Sequence, residues 1–158
     1  MNLTKLLIAQ AGVYAVFWVI FSLYSLRNIG QSYEERRVDG DETIEDYAST
    51  TKIFSVSFLQ GLCIAIWLFM LVIDILGFVL LFNFAGTDNW AVKILTIIAA
   101  LGLAHGFREM ISTVQALGDK QKLKAIFDNM KPITMRMIDI AKLARLAASL
   151  LLVAKIMF

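Results

Sequence analysis

The sequence predicts an all-α, polytopic transmembrane helical bundle of about four spans, with an amphipathic cytoplasmic helix before the last span. Two observations favour this fold class. Hydrophobic residues make up 59% of the 158-residue chain and charged residues only 18%, whereas soluble domains are roughly 45 to 50% apolar. The apolar residues also form long runs, and a helix needs about 20 such residues to cross a bilayer. We therefore treat residues 1–158 as a single membrane domain.

Two of the four predicted spans lie in the first half of the chain, at residues 6–26 and 53–82. The first run, LLIAQAGVYAVFWVIFSLYSL, contains no charged residue and precedes no small-residue cleavage pattern, so we interpret it as a retained span. The second run has 30 residues. At the rise of an α-helix it is about 45 Å long and extends past a hydrocarbon layer of about 30 Å.

The other two predicted spans are residues 90–107 and 143–158. The turn sequence NFAGTDNW precedes the third run, and its tryptophan is typical of a helix anchored at the membrane interface. The last run is free of charge for only nine residues, which is about 14 Å of helix. We predict either that Arg145 and Lys155 extend to opposite interfaces or that surrounding protein shields this segment.

Two charged connections join these spans, a loop at residues 27–52 and an amphipathic segment at residues 108–142. The loop holds seven acidic and four basic residues, and its DGD sequence at 39–41 predicts a turn. In the second connection, four apolar residues follow the i, i+3, i+4, i+7 spacing of an amphipathic helix, which we expect to end at Pro132. These four residues are Leu123, Ile126, Phe127 and Met130.

The basic residues predict the orientation of the chain, because short loops rich in lysine and arginine remain cytoplasmic. The opposite side has only Lys5, Lys93 and Lys155. The connections contribute eight: Arg27, Arg36, Arg37, Lys52, Lys120, Lys122, Lys124 and Lys131. We expect both connections to be cytoplasmic and both termini to lie outside. If the last segment does not cross, only the C-terminus changes sides.

Asp74 is the only acidic residue in the second apolar run, within MLVIDILGF. A carboxylate in lipid has to be neutral, paired or hydrated, and Lys93 is its predicted partner in a membrane-embedded charge pair. Antiparallel helices about Gly86 would separate the two residues by about 7 to 8 Å in depth, much of which a lysine side chain can span. The pair is either structural or part of an ion or proton site. The structural interpretation is favoured because a single acid defines no pathway.

The sequence HGFREM places His105, Arg108 and Glu109 at the end of the third predicted span. These groups could form a proton relay, but charges at the cytoplasmic exit of a span meet water, and we interpret them as interfacial. His105 is the only histidine, which excludes a bis-histidine haem within one chain, and no acidic residues stand at zinc-ligand spacing. We expect no metal and no cofactor.

Gly102 and Gly106 form a G-x-x-x-G spacing in the third predicted span. Small residues on one helix face allow another backbone to approach closely, so we predict a helix-packing role, within the chain or between chains. Packing within the chain is the simpler use. Tyr14, Trp18 and Trp67 are interpreted as packing or lipid contacts.

Ionisable residues stand at every third position before and into the last predicted span. They are Arg136, Asp139, Lys142 and Arg145. This spacing either forms a buried charge sensor or marks the end of a helix that meets water. Each such residue at the centre of a span costs about 2.5 to 3.5 kcal/mol, so we predict that all four are interfacial, with Ser149 near mid-depth.

The predicted function is that of a non-enzymatic multi-pass membrane subunit that packs within a larger homo- or hetero-oligomeric membrane assembly. The alternative is a small ion or proton channel or transporter component with Asp74 in the pathway. No nucleophile elbow, phosphate-binding loop or H-E-x-x-H sequence supports an enzyme. The expected partners are the lipid bilayer and other membrane subunits. A net charge of +2 gives no indication of a nucleic-acid partner.

Overall fold

The computed structural model describes residues 3–129 and 131–158, and this part of the chain is all-helical, with no strand. Met130, predicted to lie on the amphipathic face, is outside the described residues. The six helices are α1 (Leu3–Ser25), α2 (Tyr33–Thr50), α3 (Val56–Ala85), α4 (Trp90–Ala116), α5 (Lys120–Asp128) and α6 (Pro132–Met157). The predicted all-α fold class is therefore confirmed.

Three segments are long and apolar enough to cross a membrane: Lys5–Ser25, Val56–Ala85 and Trp90–Ala116. They lie in α1, α3 and α4, in agreement with the first three predicted spans and with a membrane-embedded helical bundle. The last helix, α6, is long enough to cross but is not among them. Its sequence carries five charged residues, and charge lowers the hydropathy by which a span is recognised.

The core of the bundle forms around α6, which packs against α1, α3 and α4. Trp18, Leu81, Val92 and Leu152 are completely buried and form one cluster with their neighbours from all four helices. Between α3 and α4 the chain reverses at Gly86, whose φ of +87° favours glycine. The four long helices therefore form one packed unit rather than separate hairpins.

The first charged connection is largely helical. Ser32 begins α2 with a capping box: its hydroxyl accepts from the Glu35 backbone, and its own N–H donates to the Glu35 carboxylate at 2.6 Å. This hydrogen bond lowers the pKa of Glu35 below its usual value. The turn predicted at 39–41 is wrong, because α2 continues through it. Gly40 is instead buried against the ring of Phe127.

The second connection also differs from its prediction. The third long helix, α4, continues to Ala116, well past the predicted span end at 107, and the amphipathic helix α5 has only nine residues. Pro132 does not end that helix. It begins α6, since the first turn of a helix needs no N–H from proline.

The two connections pack against each other, with α2 on α5. Ile44, Ala116 and Leu123 form a second, smaller buried cluster, and the hydroxyl of Tyr33 donates to the Asp128 carbonyl at 3.1 Å. Both connections therefore lie at the same end of the bundle. Their predicted cytoplasmic location stays a prediction.

The two glycines of the G-x-x-x-G spacing differ in their surroundings. A Cβ at Gly102 would overlap the Cβ of Ala141, where α4 crosses α6, whereas a Cβ at Gly106 would meet nothing within 4 Å. The close approach of α4 to α6 therefore depends on Gly102 and not on Gly106.

Replacing Gly102 by alanine is expected to lower the free energy of unfolding by about 1 to 3 kcal/mol, because the added methyl group forces two packed helices apart. Gly106→Ala is the matched control and should be neutral or stabilising by up to about 1 kcal/mol, since alanine is the better helix former. Denaturant unfolding of both variants in mild detergent measures the difference. Equal losses of stability in the two variants would contradict the close crossing of α4 and α6 at Gly102.

Candidate functional site

Asp74 is the centre of a buried polar site that joins three helices. Only 1% of its side chain is exposed. One carboxylate oxygen accepts a hydrogen bond from Trp18 Nε1 of α1 at 3.0 Å, and the other accepts from Arg145 Nη1 of α6 at 2.9 Å. Both oxygens of this α3 carboxylate are therefore occupied by side chains of other helices.

The predicted pairing of Asp74 with Lys93 is wrong. Lys93 lies in the first turn of α4, and its ammonium is 5.0 Å from the centre of the Trp90 ring. The salt bridge of Asp74 is made instead by Arg145, whose side chain is 11% exposed. The sequence prediction considered only the hairpin of α3 and α4, whereas α6 also packs against α3 and supplies the arginine.

Arg145 has a second contact that favours its buried position. Its guanidinium lies 5.4 Å from the centre of the Phe21 ring of α1. A cation over an aromatic face is stabilised by the ring quadrupole. Arg145 thus contacts α3 through its charge and α1 through its planar face.

Trp18 can reach Asp74 because α3 has a glycine one turn further along. A Cβ at Gly77 would lie 2.5 Å from the indole ring, so only glycine leaves room for it. Phe78 completes the site with its ring edge-on to the indole, at a centroid distance of 5.2 Å. Trp18 was interpreted as a packing or lipid contact, and its hydrogen bond was missed. The spacing of Asp74 and Gly77, three apart on one helix face, was the available signal.

Further hydrogen bonds join the helices to each other. The hydroxyl of Tyr14 donates to the backbone carbonyl of Ile73, next to Asp74. Near the beginning of α3, about 21 Å of helix away from Asp74, the Gln60 amide donates to the carbonyl of Val114 at 2.9 Å. In an apolar bundle such groups need partners within the protein, and here they bind neighbouring helices together.

Two cavities meet at the basic side chains of α6. A larger one of about 840 Å³ lies between the end of α1, α2 and α6, and a smaller one of about 100 Å³ lies beside Asp74, between α3, α4 and α6. Lys142 and Arg145 border both. Beyond the Asp74 site, Leu81 and Leu152 are completely buried. Asp74 therefore borders the smaller cavity, which shares Lys142 and Arg145 with the larger one.

The evenly spaced ionisable residues of α6 have different surroundings. Arg136 is exposed, whereas Asp139 accepts from Arg36 of α2 at 2.6 Å. Lys142 is half-buried, and Arg145 binds Asp74. The side chain of Arg145 is largely shielded by the surrounding protein. The two alternatives for the segment between Arg145 and Lys155 stay predictions. The interfacial depth of the series stays a prediction, as does the mid-depth position of Ser149, which is buried in the bundle.

The His105 group lies on α4, away from Asp74. His105 Nε2 is 3.6 Å from the carboxylate of Glu109, one helical turn later, and Arg108 is exposed. In residues 3–129 and 131–158, no group of three or more histidine, cysteine or acidic side chains is arranged to hold a metal ion. The interfacial position of these three residues stays a prediction.

Comparisons with protein-family models, with curated proteins and with solved structures find no match to this chain.

Replacing one member of the Asp74–Arg145 pair should lower the free energy of unfolding far more than replacing both members. Asp74→Asn and Arg145→Gln should each lower the free energy of unfolding by about 3 to 5 kcal/mol, because each leaves a buried charge unpaired. The double variant should recover much of the loss, since two neutral amides can hydrogen-bond to each other. Unfolding in mild detergent gives the coupling energy through a double-mutant cycle.

Lys93→Met is the control for this cycle. Within the described part of the chain, its ammonium lies over an aromatic ring of its own helix and forms no salt bridge, so its loss should cost about 0.5 to 1 kcal/mol. If Lys93→Met lowered the free energy of unfolding as much as Arg145→Gln does, this result would contradict the pairing of Asp74 with Arg145.

Proposed function

We propose that this chain is a non-enzymatic, four-span integral membrane subunit that packs within a larger homo- or hetero-oligomeric membrane assembly. The observation that carries the proposal is the pairing of Asp74 with Arg145 inside the chain. A carboxylate neutralised and held by two donors serves as a structural connection between helices. Its hydrogen-bonding capacity is directed to the protein rather than to a substrate.

The packing beyond this pair supports a structural role. Trp18, Leu81, Val92 and Leu152 are all completely buried, so the described core has a tightly packed apolar layer next to the charge pair. A permeation pathway needs polar groups or water along its length. The arrangement favours a rigid helical scaffold whose activity depends on the partners it binds.

In this proposal α6 is the fourth span. It has 26 residues, which is about 39 Å of helix and enough to cross the hydrocarbon layer. The charges that lower its hydropathy do not all have to face lipid, because Asp139 and Arg145 bind other helices. The positive-inside rule then places α2 and α5 in the cytoplasm and both termini outside.

Depth measurements on lipid-facing residues of α6 test the fourth span. Ile140 and Leu150 are both about half exposed on this helix, so spin labels there should leave the core intact. We expect position 150 to be more accessible to oxygen and less accessible to a water-soluble relaxer than position 140, because only position 150 would lie deep in lipid. Equal access of the water-soluble relaxer to both positions would contradict a crossing helix.

Mass measurement after gentle extraction tests the subunit role. In mild detergent we expect a particle heavier than one 17.7 kDa chain with its detergent, because further chains remain bound. Denaturing detergent provides the single-chain reference. A single chain in mild detergent at all protein concentrations would contradict the proposal.

The second candidate function is a small channel or transporter component with Asp74 in the pathway. It is favoured by the two cavities that border Arg145, the smaller of which also borders Asp74. In that case Asp74→Asn would abolish an ion or proton flux in reconstituted vesicles, although the variant is folded and present in the same amount as the unaltered chain. Loss of stability without loss of any flux supports the structural role.

A further inference from the structure

The larger cavity lies where a phospholipid headgroup would be expected. Phe21 and Tyr24, in the last turns of α1, and Met70 of α3 border it on one side, and Arg27 and Asn28 border it just past the end of α1. The apolar run of α1 ends here, so the cavity coincides with the boundary between hydrocarbon and headgroups. Its volume of about 840 Å³ is in the range of small-molecule binding sites.

One wall of the cavity is acidic. Asp39, Glu42 and Asp46 of α2 contribute to it, and their spacing places them on one face of the helix. Asp39 already accepts from the amide of Gln31 at 2.8 Å. Within the described residues, Glu42 and Asp46 form no salt bridge. Both are exposed and border the cavity.

Basic side chains from outside α2 form a second, basic wall of the cavity. Arg27, Lys142 and Arg145 contribute to it, and Arg145 is occupied by Asp74. Among residues 3–129 and 131–158, Arg27 and Lys142 have no carboxylate within salt-bridge distance. The cavity is therefore bordered by two cations and two carboxylates that form no salt bridge within the described residues.

We propose that this cavity binds the headgroup of an ethanolamine phospholipid. The phosphate lies against Lys142 and Arg27, and the primary ammonium donates to Glu42 and Asp46. A ligand with both charges matches both walls, whereas an anionic headgroup without an ammonium, such as that of phosphatidylglycerol, leaves the acidic wall unpaired. A choline headgroup has no N–H with which to satisfy a carboxylate. The apolar border at Phe21 and Met70 favours the lipid over the free headgroup, because it provides contacts for the attached glycerol and acyl chains.

Ligand-dependent stability of the full chain in detergent tests the lipid class. Dioctanoyl phosphatidylethanolamine should raise the melting temperature as its concentration rises, because a ligand that binds only the folded protein stabilises it by mass action. The phosphatidylcholine and phosphatidylglycerol of the same chain length should bind at least about tenfold more weakly, the effect of one lost hydrogen bond to a charged group. Equal affinity for the three lipids overturns the proposal.

Free phosphoethanolamine distinguishes the two sources of the headgroup. We expect it to bind more weakly than the lipid, because it lacks the apolar contacts. Equal affinity would overturn the assignment to a lipid and indicate a water-soluble zwitterion. Binding is measured on the isolated chain, so the result is independent of whether the chain assembles with other subunits.

Matched variants test the two walls of the cavity. Glu42→Gln and Lys142→Gln should each weaken binding of the ethanolamine lipid by about tenfold or more, since each removes one charged partner. Glu45→Gln on the same helix and Lys124→Gln on α5 remove the same charges from exposed positions that do not border the cavity, and they should leave binding unchanged. If the wall variants and the control variants weaken binding equally, binding depends on the net charge of the protein and not on this cavity, and the proposal is overturned.

Discussion

The salt bridge between Asp74 and Arg145 is the interaction on which the rest of the bundle depends. Charges removed from water are stabilised only by close, well-oriented partners, and here those partners come from three different helices. The requirement fixes the rotation of α6, which must direct Arg145 towards α3, and the position of α1, which must bring Trp18 to the same carboxylate. Apolar packing alone is less directional, because leucine and valine side chains contact lipid and each other about equally well.

Glycine and tryptophan together make this geometry possible. The indole occupies the space that a side chain at position 77 would fill, so the donor approaches the carboxylate along the surface of α3. An aromatic ring also packs against a glycine outside the apolar helices, where Phe127 of α5 lies on Gly40 of α2. In both places a glycine within a helix, which costs about 1 kcal/mol in helix propensity, gives an aromatic ring direct access to the backbone.

The sequence predicted the helices themselves more reliably than it predicted which helices pack against each other. The long apolar runs predicted α1, α3 and α4 because length and hydropathy are local properties, and Asp74 was recognised as a residue that needs a partner. The choice of Lys93 failed because a partner is determined by which helices are adjacent. The distances of Asp74 and Lys93 from the turn between α3 and α4 do not show which other helix lies beside Asp74. The turn predicted at 39–41 failed for a related reason, since DGD favours a turn locally while the capping box at Ser32 and the contact with Phe127 support a continuous helix.

The position of Arg145 in α6 has a consequence for how the chain is made. Its partner on α3 is synthesised 71 residues earlier, so Asp74 enters the membrane before any arginine is there to receive it. An unpaired carboxylate in hydrocarbon is costly and needs water or a polar partner. The docking of the last helix is therefore the step that gives Asp74 its charged partner. Biogenesis of this protein is therefore expected to include a late stage in which α1, α3 and α4 are already formed and α6 completes the fold by supplying the countercharge of Asp74.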